Sequence, residues 1–558
     1  MPSPISHQVQ FLIDTHCHSS SKPFMSGRAG NRHSPHANRS FNISSNLLDL
    51  LSSFISRASQ VLLRYQSNFD DLYLGGARVA FVSLTPAEKG FLLLNQKDLG
   101  ALENLRGLLR RSGPSNEKLL SPNLVNALTG FSVGEIKTLQ SVLNNYYSEC
   151  FVPEFRYLTH STIKNAPRTI NGVTYKVRFP RNYSELETFL QDDRNLSVII
   201  NIEGAHVFDK MPMRNDLAAA HVSPPNIDID INNAQQTTTI ANNIKDFVDK
   251  HAATAPIFSV GLLHHFWNGL GGHARSLQKL VGTLVNQEEG LNLGLTRTGK
   301  ETLVEITRAN RLNAVVDIKH MSPQCRKDFY AFRKSNATVA RKPIMCSHTG
   351  INMSFSSLDE WINYVRINSK EIGGRRFDDG LYYLHENSIN LCRTDLLEIF
   401  NSKGLIGLQL DSKRIMGPLA VRELERRTHP GESRDESNYV YAKIICANFF
   451  AAIDELRLGG VPSSRLQEAW DIFSIGSDFD GIINHLKNCP TARSLGALKA
   501  QVDAYLQMPE DIKLYDSPTH EAVLTVAEQR AMMGNYTSTE LANKIFGGNA
   551  LEFLSRTF

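Results

Sequence analysis

The chain has 558 residues, 41% of them hydrophobic and 21% charged, the balance of a globular protein with a sizeable core. With 60 basic against 56 acidic residues the formal net charge is +4, close to neutral at this length, which excludes a global pull toward nucleic acid or an anionic membrane. The seven cysteines are scattered, odd in number and form no CxxC pair, which excludes a disulfide framework and a cysteine-type zinc site and fits a reducing compartment.

From the N-terminus, MPSPISHQVQFLIDTHCH shows no basic segment followed by a long apolar run. No stretch reaches eighteen apolar residues, and the tail EFLSRTF carries no lipid-anchor signal, so a cytoplasmic protein without membrane association is expected. Eight short apolar runs then recur, each ending in polar or charged residues. They are Phe11–Ile13 before DTHCH, Val79–Leu84 before TP, Val198–Ile202 before EGAH and Ile257–Leu263 before HHFWN. The remaining four are Ala314–Val316 before DIKH, Pro343–Cys346 before SHTG, Leu405–Leu410 before DSKR and Ile472–Ile475 before GSDFDG. Runs of this length rich in Val, Ile and Leu fit strands buried on both faces. Helical patterns separate several of them, as in Lys300–Asn310, where Leu303, Ile306 and Thr307 recur at helical spacing. Eight alternating units predict a single α/β domain over 1–558, a (β/α)8 barrel of the TIM type, with chemistry on the loops after the strands. Segments at about 20–75, 86–165 and 412–470 interrupt the alternation and are expected as helical insertions over the barrel mouth or along its side.

The polar tails hold the candidate site. In Asp14-Thr15-His16-Cys17-His18 the two histidines stand two apart on a strand, so both face the same way and can hold one cation, while Cys17 points away. Glu203 ends the third run, where a buried carboxylate has to be paired or coordinating, and its two oxygens can bridge two cations. His320 and His348 close the fifth and sixth runs, 28 positions apart, about one βα unit, which places them on adjacent strands. Asp478, in GSDFDG after the last run, is suited to proton transfer beside an activated water, with Asp480 and Gly481 making the turn. Each element alone has an ordinary reading, as a polar strand end, a solvated carboxylate or a turn. The set of HxH, Glu, His, His and Asp, in strand rhythm, is specific.

This set resembles the membrane (renal) dipeptidase family of the amidohydrolase superfamily. GGARVAFVSL, EGAH, LLHHFWN, GLTRTGKETLVEITRANRLNAVVDIKHMS, GSDFDG and IFGGNALEFL are similar to that family's blocks, over about residues 8–20, 76–84 and 195–350 and in patches from 386 to 411 and 470 to 558. The resemblance implies a divergent, binuclear zinc hydrolase that cleaves an amide bond of a dipeptide-like substrate through a hydroxide bridging the metals. His16 and His18 would hold one ion, His320 and His348 the other, and Glu203 both, with Asp478 as acid/base. His265 aligns with a histidine that contacts the substrate, with His264 as the alternative, since alternation lets one of the pair point inward. The family's H-x-D is HxH here, which removes one negative charge. Its carboxylate-binding arginine is also missing: Asn390 in Ser388-Ile389-Asn390-Leu391 matches its motif, and Arg375 or Arg376 would substitute. A small-molecule substrate and a homodimer are further expectations. The alternatives are another amidohydrolase, acting on a lactone, a non-peptide amide or a phosphoester, and a non-catalytic barrel whose metals only stabilise it.

Overall fold

The computed structural model describes residues 11–25, 34–36, 65–86, 88–92, 110–112, 118–122, 132–140, 145–210, 231–277, 285–368, 381–428 and 434–558. Eight parallel strands form its centre: β1 (Leu12–Cys17), β2 (Ala77–Leu84), β3 (Asn195–Glu203), β4 (Ile257–Gly261), β5 (Val315–Asp317), β6 (Ile344–Thr349), β7 (Leu405–Leu408) and β8 (Phe473–Ile475). Each of the eight apolar runs overlaps one of them. Neighbours pair in chain order, and β8 returns to β1 with Asp14 opposite Ile475, so the ring closes and has no free edge. This is the (β/α)8 barrel that the alternation predicts.

The helices follow from local chemistry. Helix α1 (Arg297–Thr307) starts where the Thr296 hydroxyl accepts the Gly299 N–H at 2.9 Å, and it buries Leu303 and Ile306. Helix α2 (Pro323–Ser335) has Ser322 as its cap and proline at its first position, where a missing N–H costs nothing. The segment 412–470 carries the 25-residue helix α3 (Arg434–Leu458), whose Val440, Ile444, Ala447 and Ala451 are fully buried. Between 86 and 165 lie the helices Val133–Gln140 and Val152–Leu158 and also a short antiparallel pair, Arg110–Ser112 with Lys118–Leu120. A hairpin that the apolar runs do not announce, Pro167–Ile170 and Val173–Arg178, adds its second strand in parallel to the flank of β3.

Two apolar clusters separate the inside of the barrel from its outside. On β3, Ile199 shares a face with Glu203, while Val198, Ile200 and Ile202 face the surrounding helices. The inner cluster stacks Ile13, Val79, Phe81, Ile199, Phe258, Val315, Met345 and Leu405 on Ala550, Leu551, Phe553 and Leu554 of the final helix α4 (Asn549–Thr557), which stoppers the lower end. Above that layer the interior narrows: a Cβ on Gly407 or on Gly476 would stand 1.9 Å from the Ser347 carbonyl oxygen. The upper end, beyond the strand C-termini, is where the polar tails gather.

Candidate metal centre

His16 and His18 enter the barrel from β1, helped by a register shift against β2 between Asp14 and Cys17. Cys17 is fully buried on the opposite, helix-facing side, as alternation requires. Their Nε2 atoms stand 3.1 Å apart, and Ser83 Oγ lies 3.1 Å from His16 Nδ1. Glu203 closes β3 just before Gly204, whose φ of +95° turns the chain sharply; a Cβ there would meet the His206 ring at 2.3 Å. His320 and Asp478, with φ of +66° and +60°, are non-glycine residues held in the left-handed region, a cost of the kind that functional sites carry. His348, one residue before the end of β6, has Nδ1 2.9 Å from Ser347 Oγ.

These side chains converge. Glu203 Oε1 lies 2.9 Å from His320 Nε2, 3.4 Å from His348 Nε2 and 3.8 Å from His16 Nε2. Its Oε2 lies 3.2 Å from His18 Nε2 and 3.4 Å from His264 Nε2. Asp478 Oδ1 is 3.5 Å from His18 and 3.9 Å from His16, and Oδ2 is 3.8 Å from His348. All are buried, none more than 8% exposed. Most of these separations are too long for hydrogen bonds, but they match the edges of a coordination polyhedron: ligands at zinc distances stand about 3.3–3.4 Å apart around a tetrahedron. Among the described residues three groupings bring ligand atoms within 4.8 Å of one another: His16–Glu203–His348, His16–His18–Asp478 and Glu203–His264–His320. The donor set, buried imidazoles and carboxylates, therefore suits divalent metal binding.

Electrostatics keep most of the donors available. Burial holds His16, His265 and His348 well below the ordinary imidazole range and pushes His320 down to about 3, so these rings are neutral with a lone pair to offer. Burial would lower His18 too, but its contacts with Asp478 and Glu203 lift it to about 10. Burial also works to raise Glu203, yet the facing imidazoles of His264 and His16 hold it well below the carboxylate range. Burial raises Asp478.

The remaining expected site residues fall differently. Both histidines of the strand-four pair reach the site: β4 ends at Gly261, so strand alternation no longer governs His264 and His265. His264 takes Glu203, while His265 Nδ1 lies 2.6 Å from Ser276 Oγ, its ring 3.8 Å from that of His264 and 5.1 Å from that of His320. Asn390 spends its amide on the backbone, donating to the His385 and Arg414 carbonyls at 2.9 and 2.7 Å and accepting the Gly350 N–H. Arg375 and Arg376 lie outside the described residues. Asp480 does more than turn the chain: it accepts from Lys22 Nζ at 2.7 Å, from the Gln66 and Ser67 N–H groups and from the Ser67 hydroxyl, and so fastens the segments that follow β1 to the last strand.

Four residues escaped the sequence reading. Gln409 donates to Asp478 Oδ2 at 2.6 Å. Glu88 stands 2.7 Å from His264 Nδ1. Arg414, in the DSKR that follows β7, is buried with Nη2 on the Ser276 carbonyl. Lys319, beside His320, is 3% exposed, its Nζ without a hydrogen-bond partner and pushed down to about 8 by burial. The position of Lys319 and Arg414 in the polar tails of their runs was the available signal.

No protein-family model matches the chain, and no curated protein matches it. Solved structures do. A metallopeptidase from Rhodobacter sphaeroides, crystallised with a phosphinate mimic of the dipeptide L-Ala-D-Ala, is 14% identical over 99% of this chain and 100% of its own, with a TM-score of 0.42. The dipeptidase AC is 14% identical over 91% of this chain and 96% of its own, with a TM-score of 0.43. The probable dipeptidase PvdM from Pseudomonas aeruginosa is 12% identical over 99% and 96%, with a TM-score of 0.41. Among the described residues no helix is long and apolar enough to cross a membrane.

Proposed function

We propose that this chain is a binuclear metal-dependent hydrolase of the membrane dipeptidase kind, which cleaves an amide bond of a small, dipeptide-like substrate. The observation that carries the reading is the convergence of His16, His18, His264, His320, His348, Glu203 and Asp478, all buried, at one end of a closed barrel. His16, His18, His320, His348 and Glu203 would hold two divalent ions, which when bound would supply Lewis-acid polarisation and a water of lowered pKa. The chain supplies the rest. Asp478, with Gln409 fixing Oδ2, takes the proton of the attacking water on Oδ1 and returns it to the leaving nitrogen. Its burial excludes competing water and strengthens its hold on that proton. His265, neutral and anchored by Ser276, is placed to donate Nε2–H to the carbonyl oxygen as charge develops there. Arg414, held by the Ser276 carbonyl on the loop that also anchors His265, is assigned to meet a substrate carboxylate, a task that Arg375 or Arg376 would otherwise take.

The test is hydrolysis of a dipeptide panel, with L- and D-residues at the C-terminal position, by protein reconstituted with zinc. Turnover is expected, and a chelator or His348→Ala abolishes it. Asp478→Asn keeps its metals and loses about 100- to 10,000-fold in kcat. Near-normal turnover in that variant sinks the role of Asp478. Protein that holds about two metals and cleaves no dipeptide discards the substrate and directs the search to other amides, lactones and phosphoesters, the alternative that the histidine at position 18 favours by removing a negative charge. Protein that binds no metal discards the hydrolase.

A further inference from the structure

Lys319 takes no part in the reading above, although it stands in the middle of the site. We infer that it is a specificity residue: its ammonium receives the carboxylate of the substrate from inside the barrel, beside Arg414, so that the free acid binds and the corresponding neutral amide does not. The inference rests on the hydrolase reading and deepens it, by naming a group of the substrate and the residue that selects it.

Three observations carry it. First, Lys319 points into the barrel. Along β5 and past its end, Val315 lies in the inner cluster, and Val316 and Ile318 lie in the helix-facing one. The Ile318 N–H donates to the Met345 carbonyl at 2.9 Å, so the pairing with β6 continues to this point and the alternation returns Lys319 to the inner face. Its charge acts on His16 of β1, on His348 of β6 and on Asp478 after β8, which surround the interior.

Second, the chain leaves this ammonium unmatched. Lys319 is 3% exposed and its Nζ has no hydrogen-bond partner. Glu203 and Asp478 attract it without bonding to it, and their oxygens face His18, His320 and Gln409 instead. A cation withdrawn from water is retained where a counter-charge meets it. The flexible stem and three rotatable donors of a lysine suit a carboxylate that arrives with a ligand.

Third, a second cation lies close by. Arg414 is buried as well, and it repels Lys319. Asp411 attracts Arg414 but gives an oxygen to the Lys413 N–H. Two like charges buried within reach of each other work against the fold, and an anion bound beside both replaces that repulsion with attraction.

The test compares two ligands that differ in this one charge. N-Acetyl-alanine and its neutral amide are titrated calorimetrically into the zinc-loaded protein, intact and as Lys319→Met, with zinc content measured on each. The intact protein is expected to bind the acid at least about 10-fold more tightly than the amide. Lys319→Met is expected to lose about 10- to 100-fold in affinity for the acid, the worth of one charge-assisted hydrogen bond, and to keep its zinc and its affinity for the amide. Its denaturant midpoint should rise, because methionine fills a similar volume without an unmatched charge, whereas loss of a merely structural lysine would lower it. On the dipeptide Ala-Ala, KM should rise by the same factor while kcat holds. Lys319→Gln replaces Lys319→Met if circular dichroism shows the latter unfolded. Unchanged affinity for the acid in the variant, equal weakening of acid and amide, or an intact protein that does not distinguish the two overturns the inference, and the hydrolase reading stands if the dipeptide is still cleaved. Selective binding of the acid that depends on Lys319, in protein that cleaves no dipeptide, overturns the reading and leaves the assignment of Lys319, so the two failures are told apart.

Discussion

A carboxylate that ferries a proton has to be held by something other than the water it serves. Gln409 does this for Asp478, and its own Oε1 has no hydrogen-bond partner, so the amide is committed to one task. Gln409→Leu removes the donor and leaves Asp478 free to rotate. We expect kcat to fall by about 10- to 100-fold with metal content and KM nearly unchanged, measured by steady-state kinetics beside metal analysis. Metal loss in that variant would instead make Gln409 a support of the ligands. At this scale much was legible. The histidines, Glu203 and Asp478 stand in the sequence at the ends of apolar runs, where burial leaves a polar side chain few reasons to exist. Gln409, Glu88 and the choice between His264 and His265 were not legible. Gln409 lies inside an apolar run, one residue before its end, Glu88 arrives by a loop, and the histidine pair lies past the strand end, where period-two alternation lapses.

Among elements, the strands were the readable part, because a strand buried on both faces is a continuous apolar run whatever its neighbours. The hairpin Pro167–Arg178 was not readable: most of its residues are exposed or half-buried, only Tyr175 and Val177 are buried, and nothing in so short a stretch says that it will lengthen the barrel sheet. What the strands also carry is a steric rule. Gly407 on β7 and Gly476 after β8 let these two strands approach the Ser347 carbonyl of β6 and the Thr15 hydroxyl of β1. Gly407→Ala would place a Cβ 1.9 Å from backbone that cannot give way, so we expect a loss of about 3 kcal/mol or more, read as a lower denaturant midpoint. A midpoint unchanged from that of the intact protein would mean that the barrel interior yields where the packing says that it cannot.

On the scale of the whole molecule, acid should unfold this protein by way of its buried imidazoles, and one of them lies away from the metal centre. Burial pushes His36 down to about 4, against the Asp70 carboxylate that would raise it, and its Nδ1 lies 3.0 Å from the Tyr175 hydroxyl. The folded state thus favours the neutral ring. Above the unfolded value of 6.5 nothing is lost, and between 6.5 and about 4 stability falls as the unfolded chain takes up the proton first. The span corresponds to about 3 kcal/mol. His36→Gln should flatten the stability–pH curve over that interval in metal-free protein, and an unflattened curve would assign acid lability elsewhere. The closure of the barrel has a further consequence, for biosynthesis. Asp14 on the first strand meets the Ser477 hydroxyl 463 positions later, and α4 stoppers the ring only afterwards. At about 5–20 residues per second, about 20 to 90 s separate the two ends on the ribosome. Through that interval β1 waits with one edge unpaired, and His16 and His18 wait without Asp478. The candidate site can therefore be completed only after the final strand has emerged.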